Sequence, residues 1–290
     1  MLSIKLQGGL GNQLFMIFAT IAHAMEYKQQ VIFSKHIDND PNTTPRHTYW
    51  DTILAPLRYM VTMKKIIFKV YTYPNHHYVK ISPHKGNYCL NGYFQSYKYF
   101  QKYQEQIYTL LKLHTQRMKI KQHYIEYFRM HSEAPIENII SLHFRMGDYK
   151  LPKFSGFHNI ITMDYYIAAI REIINQLKNR HLAILCFGEK QDTSEINKKI
   201  AYLQKIFPTC LFHLCDPQIP DWQQLLLMSC CQHHIIANSS FSWWGAYIND
   251  YPKKIICYPE RWFGPLNQHL DTKDMFPSNW KCIKDNGRVG

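Results

Sequence analysis

Residues 235–248 read IIANSSFSWWGAYI, and this stretch decides how the chain is organised. The short run 234–237 predicts a buried strand, and the residues after it, Asn238, Ser239 and Ser240, are among those that most often cap helices. A helix is predicted next from an apolar stripe with helical spacing, made of Phe241, Trp244, Gly245 and Ile248. Such a turn leaves free backbone N–H groups at the positive end of the helix dipole. It is therefore an anion site, and phosphate is its usual ligand.

The alternation of strand and helix extends on both sides of this stretch. Residues 136–258 follow a strand–helix pattern throughout, which predicts a parallel, doubly wound α/β sheet. The sequence Ser-Glu-Ala-Pro at 132–135 is the predicted linker. We therefore expect an N-terminal domain at 1–133 and a C-terminal domain at 134–290.

The N-terminal half opens with a βαβ unit, predicted as strand 3–6, glycine-rich turn 7–13, helix 14–29 and strand 31–34. The turn resembles a dinucleotide fingerprint, but Leu14 stands where the third glycine belongs. Ser34 and Lys35 end the second strand, where such a fingerprint needs an acidic residue. The glycines still indicate a close approach of the backbone to another group.

Composition and charge limit the classes of partner. The chain has 290 residues, 46% of them apolar, and 34 Lys and Arg against 21 Asp and Glu give a net charge of +13. This charge favours an acidic partner such as a nucleotide-sugar, nucleic acid, anionic lipid or acidic glycan; a generally basic soluble protein is the alternative. A nucleic-acid partner is not expected, because the aromatic residues of 97–130 follow helical spacing and not the strand-borne stacking pattern of RNA binders.

The cysteines and the N-terminus predict the compartment. The 8 cysteines form no C-x-x-C pair, and several lie in apolar runs, so we expect buried thiols of a reducing compartment. Neither a signal peptide nor an apolar run of membrane-spanning length is evident. The prediction is a cytoplasmic protein, with peripheral contact to a membrane surface through its basic charge.

Four polar clusters follow predicted strands, at the edge where open α/β sheets bind ligands. They are Gly8–Gln13, Gly92–Ser96, His143–Tyr149 and Asn238–Ser242. We expect them to contain the binding and catalytic residues.

The cluster His143–Tyr149 carries the sharpest signal. Strand alternation places His143 and Arg145 on one side, and the planar guanidinium of Arg145 suits a phosphate. Gly147 allows a sharp turn, and Asp148 could act as a base, hold Arg145 or bind a sugar hydroxyl. The alternative is a structural Arg145–Asp148 ion pair with His143 in the core.

A purely structural role is the alternative for the serine turn, because Ser239, Ser240 and Ser242 could simply cap the helix. Together with Arg145, however, the turn predicts two anion-binding groups in one crevice, which suits a diphosphate. No D-x-D motif or His/Asp ligand cluster is evident, so we expect no metal, and Arg145 with the helix N-terminus would neutralise the leaving group. Trp244 is expected to pack in the core, and Trp243 to line the site.

These motifs resemble those of the bacterial-type alpha-1,2-fucosyltransferases of glycosyltransferase family eleven. The resemblance covers nearly the whole chain, in GGLGNQLF at 8–15, GYFQSYKYF at 92–100, HFRMGDY at 143–149 and NSSFSWWG at 238–245. The third motif matches H-x-R-x-G-D-Y, which wider fucosyltransferase groups share. Its combination with NSSFSWW is highly specific.

The resemblance implies a GT-B fold, in which two Rossmann-like domains face each other across a cleft. It implies metal-free, inverting transfer of L-fucose from GDP-fucose to a terminal galactose. We expect the catalytic residues to be Arg145, Asp148 and His143, with Asp148 the first candidate for the general base, which the sequence does not fix. The implied donor-binding residues are Arg145, Gly147, Asn238, Ser239, Ser240 and Ser242, with His143 near the nucleotide. Gly9, Asn12, Gln13 and Gln95 would face the cleft from the acceptor side.

One departure concerns the loop after strand 183–187. Members of the family commonly have Ser-Asp-Asp there, whereas this chain has Gly188, Glu189 and Lys190. Glu189 could replace the missing guanine contact, because a carboxylate pairs with two N–H donors. A transferase for another GDP-sugar and a non-catalytic nucleotide- or glycan-binding protein therefore stay as alternatives.

Overall fold

The computed structural model describes residues 1–37, 45–131, 139–285 and 287. Its contacts divide the chain into two compact units, Met1–Gln116 with Leu270–Pro277, and Arg117–His269 with Ser278–Gly290. Both units are α/β, which confirms the predicted class. The predicted linker at 132–135 lies outside the described residues, and the domain boundary at 133 stays a prediction.

The first unit is built on a small parallel sheet. Its elements are β1 (Leu2–Ile4), α1 (Leu10–Glu26), β2 (Phe33–Ser34), β3 (Val61–Thr62), β4 (Lys69–Thr72), β5 (Tyr88–Asn91) and α2 (Gln104–Leu110). Helix α3 (Leu113–His131) begins in this unit and continues past Gln116, where the unit's first segment ends. Strands β1, β5 and β4 pair in that order, and β2 pairs with β3, all in parallel. The first strand and helix confirm the predicted βα opening.

Helix α1 begins at Leu10, earlier than the predicted start at Leu14. Gly8 has a φ of +74°, which turns the chain sharply, and Gly9 is the extended N-cap residue. Leu10 is buried, so the apolar face of the helix begins inside the glycine-rich segment. The polar residues of that segment therefore lie in the first turn of the helix and not in a loop.

The segment Leu270–Pro277 is bound to the first unit through Asp274. Ser96 Oγ donates to the Asp274 carbonyl oxygen at 2.6 Å, and Tyr78 N–H donates to its carboxylate at 3.2 Å. Lys98 forms an ion pair with the same carboxylate. These contacts explain why a segment late in the sequence belongs to the first unit.

The second unit is a doubly wound sheet. Its elements are β6 (Ile139–His143), α4 (Pro152–Ser155), α5 (Met163–Leu177), β7 (Ala183–Phe187), α6 (Thr193–Ile206), β8 (Leu211–Leu214), α7 (Asp221–Cys230), β9 (His233–Ile235), α8 (Ser240–Tyr247), β10 (Ile256–Pro259) and β11 (Lys281–Ile283). The six strands are parallel, in the order β8-β7-β6-β9-β10-β11. The predicted parallel sheet is confirmed, with β11 as an additional edge strand.

This strand order reverses between β6 and β9. The connections from β6 run outward through β7 to β8, and those from β9 run outward the other way through β10 to β11. The loops after β6 and β9 therefore diverge and leave a crevice at the carboxyl edge, which is where such sheets bind ligands. The two sharpest motifs of the sequence are these two loops.

The core of the second unit holds the strand ends in place through buried tyrosines on α5. Tyr165 Oη donates to the carbonyl oxygens of Ile236 and Cys257 at 2.6 and 2.9 Å. Tyr166 Oη donates to the His143 carbonyl oxygen at 3.1 Å. Buried carbonyls at the end of β6, just after β9 and within β10 are thereby satisfied, so the loops after β6 and β9 start from rigid points.

A buried polar chain joins the centre of the sheet to the end of α8. Ser141 Oγ lies 2.7 Å from His234 Nδ1, and His234 Nε2 lies 2.7 Å from Asn249 Nδ2. Burial lowers the pKa of His234 well below its usual value, with the charges of Lys254, His233 and Arg117 acting in the same direction. His234 is therefore neutral, so it can accept from the amide while facing the serine.

The cysteines are free, all eight of them, and most are buried. Within the described part of the chain, no helix is both long enough and apolar enough to cross a membrane.

Candidate active site

His143 is the last residue of β6 and lies almost entirely inside the protein, with 5% of its surface exposed. Its ring centroid is 5.6 Å from that of Phe241, on the first turn of α8. Burial, together with the nearby charge of Arg145, lowers the pKa of His143 to about 3. Among the described residues its Nδ1 has no hydrogen-bond partner, so a neutral imidazole has an unused polar atom at the strand end.

Arg145 forms ion pairs with Asp148, in its own loop, and with Glu189, in the loop after β7. Its guanidinium carbon also lies 4.6 Å from the ring centroid of Tyr149. The side chain of Arg145 is only 12% exposed. The Arg145–Asp148 ion pair, which was the structural alternative for this motif, is thus present, and a second carboxylate that the sequence did not predict there binds the same guanidinium.

The register of β6 and β7 explains the second ion pair. His143 on β6 is paired with Phe187 on β7. Arg145 and Glu189 each come two positions after these paired residues, so they leave the sheet at the same level. Phe144 N–H donates to the Phe187 carbonyl oxygen at 2.8 Å, which keeps the two loops side by side as they leave the sheet. The register of the sheet therefore brings the two loops together, and the side-chain conformations of Arg145 and Glu189 complete the ion pair.

Gly147 makes room for the Glu189 carboxylate. Its φ is +40°, and a Cβ atom at this position would collide with the carboxylate of Glu189. The Gly147 N–H donates to Asp192 Oδ2 at 2.6 Å, and Lys150 Nζ donates to Asp192 Oδ1 at 2.9 Å. Hydrogen bonds to Asp192 and Glu195 raise the pKa of Lys150. The loop after β6 is thus fixed to the start of α6.

Asn238 follows β9 and holds the opposite wall of the crevice. Its Nδ2 donates to the carbonyl oxygens of Asn159 and Trp262, at 2.9 and 3.1 Å. Tyr149 Oη donates to the Asn238 carbonyl oxygen at 3.2 Å, so the two motifs touch. Within the described residues, Asn238 Oδ1 is buried and has no hydrogen-bond partner, like Nδ1 of His143.

The serines after Asn238 do cap helix α8. Ser239 is the N-cap, and its Oγ accepts from Phe241 N–H at 3.3 Å. Ser242 is fully buried, and its Oγ donates to the carbonyl oxygens of Ala237 and Ser239 at 3.4 and 3.3 Å. Ser240 is the half-buried first residue of the helix. Capping and anion binding are compatible here, because the backbone N–H groups of the first turn still point out of the helix.

The tryptophans of this motif belong to the core. Trp243 and Trp244 are both fully buried, and Trp243 stacks on Tyr247 with 4.5 Å between ring centroids. The prediction that Trp244 packs in the core is confirmed. The prediction that Trp243 lines the site is wrong, because a side chain with 0% exposure presents no surface to a ligand.

The residues predicted for the acceptor side lie in the first unit, and two of them, Asn12 and Gln95, are joined by a hydrogen bond. Gln95 Nε2 donates to Asn12 Oδ1 at 2.9 Å. Gln13 is fully buried, and its Nε2 donates to the carbonyl oxygens of Gly8 and His47 at 3.0 and 2.8 Å. Gln13 thus shapes the glycine-rich segment. Gly9, the N-cap of α1, leaves open space, since a Cβ there would meet only Arg46, at 4.0 Å. The predicted acceptor roles of these residues stay predictions.

Sequence reasoning did not single out Asp192 and His158. Asp192 anchors the loop after β6, and the His158 ring stacks on Tyr149 at a centroid distance of 4.2 Å with an interplanar angle of 5°. Burial lowers the pKa of His158, against the opposing effect of Asp148. A sequence signal existed only for Asp192, an acidic residue just before a predicted helix.

No group of three or more His, Cys, Asp or Glu side chains in the described ranges could hold a metal ion. The expectation that the reaction needs no metal stays a prediction.

Comparison with known proteins identifies related sequences. The family model described as Glycosyl transferase family 11 matches residues 1–284. An O-antigen biosynthesis glycosyltransferase of Escherichia coli is 30% identical over 191 residues, which is 66% of this chain and 60% of the relative. An alpha-1,2-colitosyltransferase of Escherichia coli is 29% identical over 208 residues, which is 69% of this chain and 64% of the relative. The matches thus span less than two thirds of either relative's length.

Solved structures give weaker similarity. An ADP-heptose lipopolysaccharide heptosyltransferase II of E. coli has a TM-score of 0.37 at 14% identity, covering 57% of this chain and 43% of its own. A family 9 glycosyl transferase of Veillonella parvula has a TM-score of 0.47 at 8% identity, covering 98% and 86%. These scores support no conclusion about how the two units are arranged, so the GT-B cleft stays a prediction.

Proposed function

Because the chain belongs to glycosyltransferase family 11, we propose that it transfers L-fucose from GDP-fucose to the 2-hydroxyl of a terminal galactose on a glycan, with inversion at the anomeric carbon. One observation carries the proposal. The loop with Arg145 and the turn that opens α8 follow adjacent strands, β6 and β9, at the point where the strand order reverses. Two groups suited to anions thereby stand at one crevice.

In this proposal the donor's diphosphate binds between Arg145 and the first turn of α8. Arg145 offers a planar pair of N–H donors, and the backbone N–H groups near Ser239 and Ser240 lie at the positive end of the helix. Both groups stabilise the negative charge that grows on GDP as the sugar leaves, which lowers the barrier.

The nucleoside has its own proposed contacts. His143 Nδ1 and Asn238 Oδ1 are buried polar atoms without partners among the described residues. Asn238 Oδ1 is an acceptor, and His143 Nδ1 is an acceptor when the ring proton is on Nε2. A buried acceptor left unpaired costs about 1–3 kcal/mol. We place the ribose hydroxyls or guanine N–H groups of the donor near them, since those groups are donors. In this assignment Asn238 and His143 contribute to nucleotide binding, and Gly147 gives the loop its shape.

The proposed chemistry is a single displacement. A base removes the proton of the galactose 2-hydroxyl, the oxygen bonds to the anomeric carbon of fucose, and the bond from that carbon to the diphosphate breaks, releasing GDP. Asp148 is the proposed base, because it is the carboxylate next to the proposed diphosphate site and is 17% exposed. The reaction is proposed to need no metal, and Gly9, Asn12 and Gln95 are proposed to bind the acceptor, while the buried Gln13 holds the segment that carries Gly9 and Asn12 in shape.

A second donor deserves testing because one relative is an alpha-1,2-colitosyltransferase. Colitose is L-fucose without its 3-hydroxyl, so a pocket for one sugar differs from a pocket for the other by a single polar group. The alternatives are therefore another nucleotide-activated deoxysugar, or binding of nucleotide and glycan without turnover.

Donor competition tests the proposal. The purified protein is incubated with lactose and equal concentrations of GDP-fucose and GDP-mannose, and the products are separated by mass. We expect fucosyl-lactose as the main product, with an anomeric NMR doublet of small coupling constant that identifies the alpha anomer and a correlation from fucose H1 to galactose C2 that identifies the linkage. Mannosyl-lactose as the main product, or no transfer by a folded protein, would reject it.

We also propose that the protein works in the cytoplasm, at an anionic membrane surface. From Thr52 to Gln104 the sequence contains no Asp or Glu, and Lys64, Lys65 and Lys69 are exposed. Between them Ile67 is 84% exposed. Lysines that flank an exposed apolar side chain suit the boundary between headgroups and acyl chains.

Co-sedimentation with vesicles tests the membrane contact. Vesicles of phosphatidylglycerol and phosphatidylcholine should pellet the protein at low salt, and those of phosphatidylcholine alone should not. The double variant K64E/K65E should stay in solution, whereas the matched control K198E/K205E, on α6, should still pellet. Equal binding by K64E/K65E and wild type would reject this surface.

A further inference from the structure

Glu189 binds Arg145, the side chain that is proposed to bind the donor diphosphate. Its carboxylate forms an ion pair with the guanidinium of Arg145, and Asp148 binds the same guanidinium. One positive charge thus faces two negative charges in this structure. A diphosphate adds at least two more negative charges, so all three anions cannot remain on Arg145 without strong repulsion.

Glu189 is the carboxylate that can leave most easily. Its side chain is 33% exposed, against 17% for Asp148. Its other side-chain contact in the described structure is with the amide of Gln191, an exposed residue only two positions away. Glu189 precedes a short turn of helix at 190–192, and only its backbone carbonyl bonds to that turn, whereas its side chain makes no cap hydrogen bond. A rotation of its side chain therefore moves the carboxylate into water without breaking the fold.

The space that the Glu189 carboxylate occupies, beside Gly147 and the Arg145 guanidinium, suits another anion. Gly147 leaves space there, because a Cβ at its position would collide with the Glu189 carboxylate. The sheet register places Glu189 level with Arg145, as the residues two positions after the pair Phe187–His143. Removing the Glu189 carboxylate would open a space beside the guanidinium.

We infer that Glu189 competes with the donor diphosphate for Arg145 and so sets the affinity for the donor. This inference rests on the proposed function, in which Arg145 holds the diphosphate. Donor binding replaces the Arg145–Glu189 ion pair by an Arg145–diphosphate pair, and the Glu189 carboxylate turns to solvent. Its role differs from the guanine contact predicted from the sequence, which would make Glu189 favourable for binding.

The two roles predict opposite effects of Glu189→Gln on the affinity for GDP. A competitor that occupies Arg145 in nine of ten molecules raises the apparent Kd about tenfold, so its removal lowers the Kd by up to about that factor. A guanine contact, by contrast, is weakened by the loss of the charge, and the Kd rises. GMP, which has one phosphate fewer, should gain less than GDP from the substitution.

The test is isothermal titration of the full chain with GDP and GMP. Wild type, E189Q, R145A and the double variant R145A/E189Q are compared, with E172Q as the control for loss of one negative charge. Glu172 lies on α5 and binds Gln176. Thermal unfolding verifies that each protein is folded.

If Glu189 competes for Arg145, E189Q should bind GDP about three- to tenfold more tightly than wild type, and E172Q should bind it as wild type does. The gain should vanish in the R145A background, because the competition requires Arg145. An unchanged or higher Kd of E189Q for GDP, or an equal gain without Arg145, would overturn it. If R145A itself binds GDP as wild type does, the proposed diphosphate site fails. If R145A binds weakly and E189Q does not bind more tightly, only the role of Glu189 fails.

Discussion

Arg145 and Glu189 are joined by an ion pair that bridges the loops after β6 and β7. The pairing of His143 with Phe187 in the sheet brings these two loops together, and Gly147 leaves room for the carboxylate. The arginine that best suits a diphosphate is therefore already held in position by carboxylates. An arginine positioned in this way loses little side-chain entropy when a ligand replaces one partner.

Replacement of Arg145 by alanine should lower kcat/KM for transfer by about ten- to hundredfold or more. Each charge-assisted hydrogen bond contributes roughly 1.5–3 kcal/mol, and about 1.4 kcal/mol corresponds to a factor of ten. Initial rates with GDP-fucose and lactose provide the measurement. The control is Arg171→Ala, an exposed arginine on α5, which should keep the wild-type rate. Near-normal transfer by R145A would contradict the assignment.

Ser239 allows the capping role and the anion role to be separated. Ser239→Ala removes the acceptor of Phe241 N–H and should lower the free energy of unfolding by about 0.5–2 kcal/mol. Ser239→Asp restores a good cap but places a negative charge at the proposed phosphate position. We expect S239D to regain stability in urea unfolding and yet bind GDP more weakly than S239A. Equal GDP affinities of S239A and S239D would show that no anion binds at this turn.

Chelation of metal ions should not affect the rate. Arg145 and the start of α8 are proposed to neutralise the leaving group, so the reaction needs no divalent cation. The measurement is transfer after dialysis against EDTA, with and without added Mn²⁺ or Mg²⁺. Activity that disappears with EDTA and returns with Mn²⁺ would show that a metal bridges the diphosphate.

Acid should destabilise the second unit through its buried histidines. Burial lowers the pKa of His143 to about 3 and that of His233 to about 4, against 6.5 for an ordinary histidine. The unfolded chain therefore binds more protons than the folded one as the pH falls from about 6.5 towards 4. The stability that neutral burial provides is complete above pH 6.5 and is lost as the pH falls through this range.

Urea unfolding at pH 7, 6 and 5 measures this effect. Each such histidine contributes up to about 1.4 kcal/mol per pH unit to the slope of the unfolding free energy. His143→Gln should reduce the slope by about the share of one histidine. A wild-type stability that is constant from pH 7 to pH 5 would show that these side chains are not buried in their neutral form.

The buried hydrogen-bonded chain Ser141–His234–Asn249 should stabilise the fold without taking part in nucleotide binding, so breaking it should cost stability alone. Asn249→Ala leaves His234 Nε2 without its amide partner, which should cost about 1–3 kcal/mol of unfolding free energy. The exposed control Asn175→Ala should have little effect. GDP affinity of the folded N249A protein should stay near wild type, and a large loss of affinity would mean that the chain shapes the nucleotide site.

Local patterns predicted the second unit well. Most of its strands are short apolar runs bounded by turns, so their existence and their parallel direction followed from the sequence, whereas their order in the sheet did not. Two further details did not follow from the sequence, namely the edge strand β11 in the second unit and the start of α1 in the first. The edge strand β11 has three residues, with Lys281 first, which is too short and too polar for a periodic signal. Helix α1 starts inside its glycine-rich segment because Leu10 is buried by tertiary packing, and packing overrides the local signal of the glycines.

Most residues of the site were predicted from the sequence, but the contacts between them were not. H-x-R-x-G-D-Y and the serine turn pointed to Arg145 and Asn238, and the structure places both after adjacent strands. The pair Arg145–Glu189 depends on the register between β6 and β7, and Asp192 reaches Gly147 N–H only because α6 begins beside that loop. Such contacts join residues far apart in the chain, so no local pattern contains them.

The most direct measurement of the central claim is the product formed from GDP-fucose and lactose by the purified protein. The account predicts stoichiometric release of GDP and a trisaccharide in which fucose is linked alpha-1,2 to galactose, identified by mass and by NMR. A folded protein that binds GDP but forms no fucosylated product, or that links fucose at another position, would contradict it.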